Sequence, residues 1–371
     1  MISVPTIWKE ELSNGIKIFG IEQNELPLIN FAITLKGGML LDDIENIGVA
    51  NLMTDIMMEG TKNKTPIELE EAIEELGASI NMYTTKESIV IQANCLSSKF
   101  NDVYDLVEEI IFEPRWDEKE FERVKKETIE IINRNSANPS IVGSNVFNKL
   151  IYGSENILSQ STLGTEESVS SITIDDMKNF YKKYFAPNLS TITIVGNISE
   201  DGAVSDFQSL EMKWEKKEVE FPEYPTPPKS KVASLYFVDF PDAKQSVIMI
   251  GNLAFRYTDD DYYPANVMNY KLGGNFNSYV NLILREEKGY TYGARTNFTG
   301  SLNPGYFIAS SNVRSNATRE SVQIFIDEMN KYREGIPEKD FEFTKNALIK
   351  SNARGFETLN ALLGMLNNIA T

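Results

Sequence analysis

Asn51 and Asp55 stand four residues apart, with Thr54 between them, in the run Gly48-Val49-Ala50-Asn51-Leu52-Met53-Thr54-Asp55-Ile56-Met57-Met58-Glu59-Gly60-Thr61. On a helix that spacing puts two side chains on one face, where they can bite a single metal ion while a neighbouring base polarises its bound water. The residue types weaken this chemistry. Asn51 is a poor zinc ligand, Asp55 offers one oxygen, and Thr54 is no general base at neutral pH. Histidine, the commonest metal ligand and neutral-pH base, occurs nowhere in the 371 residues. A Ser-His or Cys-His pair and a His-ligated catalytic zinc are therefore excluded. Arg285 and Tyr292 offer something else: a guanidinium and a phenol are donors that can face developing negative charge in a closed cavity. Read singly, they are equally a surface arginine at a helix end and a core tyrosine. No GxSxG elbow, P-loop or GxGxxG is present. Cys95, the only cysteine, lies in the strand-like run Ser88–Leu96 and reads as a small buried apolar residue, so no disulfide or CxxC site forms within the chain.

The elements that must position these residues are legible from periodicity. Alternating runs over 15–21 and 28–35 predict strands, and a helix follows from about Ile47 to Met58, closed by Gly60. Thr65, Pro66 and Glu68 form a helix-starting capping box, and that helix runs to Gly77. Two strands, around 79–83 and 87–96, precede long amphipathic helices over 99–112 and 117–135. Pro139 marks a break before a helix over 140–151. A capped helix from Thr173 then leads to a strand over 190–196. The stretch from Glu215 to Lys231 is polar and Pro-rich, as an extended linker is. Beyond it, strands are expected over 234–238 and 245–251, then an acidic turn at 259–261 and a helix ending at Gly273-Gly274. This repeats the order of the first half and points to an internal duplication. The division is a first domain over 1–214, a linker over 215–231 and a second domain over 232–371. The sequence stops in a helical pattern over 358–371 where the first half goes on to a strand, so a truncated second domain is expected. At the other end, Val4–Lys9 reads as a linker entering a domain, and Met1–Pro5 lacks the features of a signal peptide.

Composition narrows the function classes. Hydrophobic residues make up 42% and aromatic residues 11%, enough for packed cores. A formal charge of −18 repels phosphate backbones and anionic lipid, which argues against nucleic-acid and membrane-surface roles. No run approaches 18 apolar residues, so no membrane span is expected. The compartment stays open between periplasm and cytoplasm.

The run from Gly48 to Thr61 resembles the active-site helix of the M16 (pitrilysin, or insulinase) zinc peptidases. Members carry an inverted zinc motif, HxxEH, in a frame that Gly48, Ala50, Gly60 and Thr61 fit. Asn51 and Asp55 fall where the histidines belong and Thr54 where the catalytic glutamate belongs. For the family's third ligand, a later helical glutamate, Glu130 is the nearest match and Glu127 the second choice; Glu130 is read as a residue of a solvated helix face. A second stretch, Leu272–Ser278 through Leu284–Gly293, resembles the family's second-domain signature, a glycine turn followed by R-E-x-x-G-x-x-Y. There the resemblance implies that Arg285 and Tyr292 bind the substrate carbonyl and stabilise the oxyanion at the zinc site of a facing domain. The segment with Asn81, Met82 and Tyr83 resembles the edge strand that pairs with an extended peptide, although it reads equally as an ordinary sheet strand.

The fold implied is α+β: two tandem homologous M16-type (LuxS/MPP-like) domains, each a mainly antiparallel sheet packed with helices. The function implied is that of a non-catalytic half of an M16 peptidase, lending Arg285 and Tyr292 to an HxxEH-bearing half, fused or separate, that hydrolyses peptides. No cofactor is expected in this chain, and zinc is expected in the partner half. The alternative is a purely structural or peptide-binding homologue.

Overall fold

Strand β3 (Leu28–Lys36) shows why the first sheet is buried on both faces: seven consecutive residues from Ile29 to Leu35 are buried, with no polar side left for solvent. A computed structural model describes residues 5–225, 227 and 232–370. Residues 1–4 and most of 226–231 lie outside it, and with them the signal-peptide reading and the end of the expected linker.

In chain order the strands are β1 (Trp8–Glu11), β2 (Lys17–Glu22), β3, β4 (Ser79–Thr84), β5 (Ser88–Leu96), β6 (Ser190–Gly196), β7 (Gln245–Leu253), β8 (Thr291–Phe298) and β9 (Tyr306–Arg314). The helices of the first half are α1 (Val49–Met57), α2 (Pro66–Glu75), α3 (Phe100–Phe112), α4 (Glu118–Ser136), α5 (Pro139–Tyr152), α6 (Glu166–Ser171), α7 (Ile174–Tyr184), α8 (Glu200–Phe207) and α9 (Ser209–Lys213). Those of the second half are α10 (Tyr262–Asn269), α11 (Tyr279–Asn281), α12 (Thr318–Arg333), α13 (Glu338–Asn352) and α14 (Leu359–Ala370). Thr65 accepts from the Glu68 backbone while Glu68 reaches back to Thr65, the capping box that starts α2. Among the described residues no helix is long and apolar enough to cross a membrane.

The chain forms two compact units, and neither is one contiguous stretch. The first comprises residues 1–133, 161–223 and 352–371; the second comprises 134–160 and 224–351.

The first unit is a six-stranded sheet in the order β1-β2-β6-β3-β5-β4. All neighbours are antiparallel except β2 and β6. One face packs Phe31, Ile33 and Ile91 against α1, α3 and α7. The other packs Phe19, Ile21, Ala32, Val90 and Val195 against Leu362, Leu363 and Leu366 of α14. Asn360 and Asn367 tie that helix to Asn30 and Thr193. Trp8 and Lys9, expected in an entering linker, instead form part of β1, whose Trp8 ring lies flat enough on Gly20 that a Cβ there would overlap it.

The second unit repeats part of this plan. Its sheet runs β7-β9-β8, all antiparallel, as β3-β5-β4 does in the first. Ile248, Leu284, Ala309, Val313 and Phe325 form its core. Helix α5, from the first half of the sequence, packs on it: Phe147 meets Tyr306 edge-on at 5.1 Å, and Tyr152 Oη donates to the Pro304 carbonyl at 2.9 Å. Each sheet therefore takes one helix from the other half of the sequence.

The strand expected over 234–238 is not formed. Leu235 and Phe237 are 94% and 89% exposed, and the segment joins neither sheet. The first unit supplies the reason. There β2 does not pair with β3; both pair with β6, which lies between them. Among the described residues no counterpart of β6 stands beside β7, so a segment with strand composition has no backbone to bond to.

Candidate functional site

Helix α1 begins at Gly48, whose φ of 110° suits only glycine. A Cβ there would lie 3.0 Å from the Leu163 carbonyl oxygen. The Asp42 carboxylate accepts from the Gly48 and Ala50 amides at 2.9 and 3.0 Å, satisfying two open N–H groups at the helix start. Burial pushes this carboxyl up to about 7, against the lowering effect of those two bonds.

Along α1 the three family positions are satisfied internally. Asn51 Nδ2 donates to Asp55 Oδ2 at 2.9 Å, so the pair that would grip a metal grips itself. Thr54 is fully buried and donates to the Asn51 carbonyl at 2.8 Å. Its oxygen lies 3.2 Å from that of Thr84, which donates to the Ala50 carbonyl at 2.9 Å. Both hydroxyl protons are thus committed to helix carbonyls.

Asp55 opens onto a cleft of about 340 Å³, shared with Glu59, Asn81, Met82, Glu127 and Thr128. Helix α4 lines it with Val124, Glu127, Thr128 and Ile131, one face at spacings of three and four. Glu130 is off that face: its side chain is 65% exposed and 3.9 Å from Lys126. Glu127, the second choice from sequence, faces the cleft instead.

Arg123, which sequence reasoning missed, ties the cleft's carboxylates together. Its Nη1 donates to both Glu127 oxygens at 2.9 Å, its Nε to Glu120 at 2.7 Å, and its Nη2 lies 2.5 Å from Glu59. The three carboxylates raise its already high pKa further. The signal was available, since Glu120 and Glu127 stand at i−3 and i+4 from Arg123.

These residues do not fit a zinc ion. Asn51 and Asp55 bond to each other, Glu59 and Glu127 bond to a guanidinium, and imidazole and thiolate donors are lacking at the cleft. Among the described residues no group of three His, Cys, Asp or Glu side chains is placed to hold a metal.

Burial also raises the Asp55 carboxyl, to about 6 from the usual 3.8, with the Asn51 bond opposing and Glu59 adding. A raised carboxyl opposes folding once pH passes its unfolded value: the cost grows from about pH 4 to 6 and is full above that. Asp55→Asn keeps an acceptor for Asn51 without the charge. It should raise stability by about 2 kcal/mol near pH 8 and leave it unchanged near pH 4, read by urea melts. An equal effect at both pH values would show that the carboxylate is not under strain.

Strand β4 borders the cleft and is the outer strand of its sheet, so one edge of its backbone is unpaired. Met82 is buried beneath it, and Asn81 and Tyr83 are exposed on the opposite face. A second cleft of about 390 Å³ continues on the α2 side, lined by Leu69, Glu70, Ile73, Glu74 and Ile80.

In the second unit, Arg285 sits in a π-helical turn, Leu282–Glu287, a form that recurs at functional sites. Its guanidinium lies over the exposed Phe276 ring, 4.4 Å from the centroid. The buried Nη1 has no hydrogen-bond acceptor; the Glu286 carboxylate, at 3.2 Å, is poorly oriented for one. Tyr292 lies on β8 at an irregularity between Thr291 and Ala294, and it is 93% exposed. It is not a core tyrosine. Cys95 is buried, and burial pushes its thiol up to about 11, which fits an inert residue.

Residues 21–166 match the family model described as insulinase (peptidase family M16), and residues 171–348 match that of the peptidase M16 inactive domain. The chain belongs to peptidase family M16. This M16 chain is 23% identical over 355 residues to a Bacillus subtilis (strain 168) protein named uncharacterized zinc protease YmxG, covering 94% of this chain and 84% of that one. It is also 23% identical over 357 residues to a Helicobacter pylori protein named non-peptidase homolog YmxG, covering 94% and 80%. Among solved structures, the peptidase M16 inactive domain from Pseudomonas fluorescens has a TM-score of 0.91 at 23% identity over 98% of this chain and 87% of that one. The periplasmic protease PqqL from Escherichia coli has a TM-score of 0.80 at 16% identity, with 99% of this M16 chain matching 43% of that protein. At these identities the structural likeness speaks for the fold, two M16-type α+β domains.

Proposed function

We propose that this M16 chain is the non-catalytic half of a zinc peptidase. It completes the closed chamber and offers Arg285 and Tyr292 to the HxxEH site of a partner half. The observation that carries this reading is a contrast within the chain. Where the family's HxxEH residues belong, Asn51 and Asp55 bond to each other and Thr54 to a helix carbonyl. By contrast, the buried Arg285 Nη1 has no hydrogen-bond acceptor and Tyr292 is 93% exposed. In the assembled enzyme the metal and its base would come from the HxxEH-bearing half. This chain's part would be to hold a guanidinium and a phenol against the negative oxygen formed from the peptide carbonyl. Zinc is assigned to that half alone, and peptides are the substrate class.

The open edge of β4 supports a second, compatible role. An extended peptide can add there as a further strand, with Asn81, Met82 and Tyr83 along its path. If that is the chain's whole task, it is a peptide-binding homologue without a part in catalysis.

The deciding experiment is a peptidase assay on a mixed oligopeptide library, with this chain alone, the HxxEH-bearing half alone, and both together. Activity in the mixture only is the expected result. A stable complex with no gain in activity would leave the binding role.

A further inference from the structure

The cleft beside α1 keeps its walls together without a metal, and the geometry points to one side chain as the reason. We infer that Arg123, 42% exposed at the rim of this cleft, is the cation that bridges its carboxylate-bearing walls, so that their spacing does not depend on a bound metal.

Two walls of the cleft carry like charge. Asp55 and Glu59 come from α1 and the turn just after it, and Glu127 comes from α4. Glu120, one helical turn before Arg123, adds a further carboxylate at the same guanidinium. With no cation among them these groups would push α1 and α4 apart. Lys126, the nearby base on α4, is turned toward Glu130 and away from the cleft-facing side of the helix. Arg123 crosses the gap. It reaches Glu59 with Nη2 and holds Glu120 and Glu127 with Nε and Nη1, so the whole fork is engaged.

Shape matters here as well as charge. A guanidinium presents donors in a fixed plane and can serve three carboxylates at once, whereas an ammonium is a point charge. The same spread keeps the carboxylate oxygens around the rim of a planar cation, away from the common centre that a metal needs. The cleft beside β4 is thereby fixed by the polypeptide itself. This inference concerns the architecture of the first unit, and it stands whether or not the chain joins a catalytic partner.

The test is a set of thermal melts of the whole chain with chelator, with zinc and with millimolar manganese. The unaltered protein should melt at the same temperature in all three. Arg123→Met should melt roughly 2–4 °C lower, with unchanged far-ultraviolet circular dichroism. Manganese should not restore that loss, because Glu59, Glu120 and Glu127 are not gathered around a point that a metal could occupy. Arg123→Lys should fall between the two. Either of two results would overturn the inference: a metal-dependent melt of the unaltered protein, or an Arg123→Met melt equal to it.

Discussion

Leu366→Ala should cost the first unit about 3 kcal/mol of stability, and Leu366→Asp should prevent it from folding. Leu366 is fully buried against the sheet face formed by Phe19, Ile21, Ala32, Val90 and Val195, together with Leu362 and Leu363 from its own helix. That face belongs to strands laid down in the first two hundred residues, yet its cover arrives with α14. Shortening Leu366 leaves a cavity the sheet cannot collapse into, since its backbone is fixed by pairing on both sides of β3, β6 and β2. An aspartate would place an unpaired charge there. Ile369 is the control: it is on the same helix but 54% exposed, and Ile369→Ala should change stability by no more than about 0.5 kcal/mol. Urea melts of the three variants decide the matter. Equal effects at 366 and 369 would mean that α14 does not hold the sheet.

Arg285→Ala should lower kcat/KM of the assembled peptidase about 100-fold while leaving the fold of this chain intact. The guanidinium lies on an exposed ring and anchors no core, so its removal should not unfold the second unit. A donor that meets charge only as it develops acts on the transition state, so the loss should appear in kcat more than in KM. Arg285→Lys keeps the charge but not the fork and should recover part of the rate. Tyr292→Phe removes one hydroxyl donor and should cost less. Unchanged kcat/KM in the Arg285→Ala enzyme would remove the donor role and favour the peptide-binding reading.

Much of the first unit was legible because local rules and tertiary structure agree there. The unbroken apolar run of β3, the capping box at Thr65 and the strand at 190–196 each carry their own signal. The internal repeat was legible too, and the sheets bear it out in matching strand order. Other features depended on partners distant in sequence. The segment 234–238 has strand composition, but whether a strand forms depends on a neighbour that composition does not specify. Glu130 and Glu127 are three residues apart on one helix, only about 60° apart around its axis, so a modest rotation decides between them. Which of them faces the cleft depends on how α4 is rotated by the burial of Val124 and Thr128. Arg123 looked like one more charge on an amphipathic helix, and only the position of Glu59, sixty-four residues earlier, reveals what it joins. The covering of the first sheet by α14 pairs Asn30 with Asn360, a contact no local pattern announces.

The exchange of α5 and α14 between the two halves of the sequence bears on how the protein is made. A nascent chain emerges from the ribosome in order, and domains commonly fold as they appear. Here the six strands of the first sheet are complete by Gly196, but Phe19, Ile21 and Val195 stay bare until residue 366 has left the exit tunnel. For the whole synthesis of the second half, the first carries a sticky surface that a holding chaperone would recognise. Helix α5, meanwhile, waits for a sheet that has not yet been translated. The first unit therefore reaches its final packing only once α14 has emerged, and placing α14 ahead of β1 would let it do so earlier.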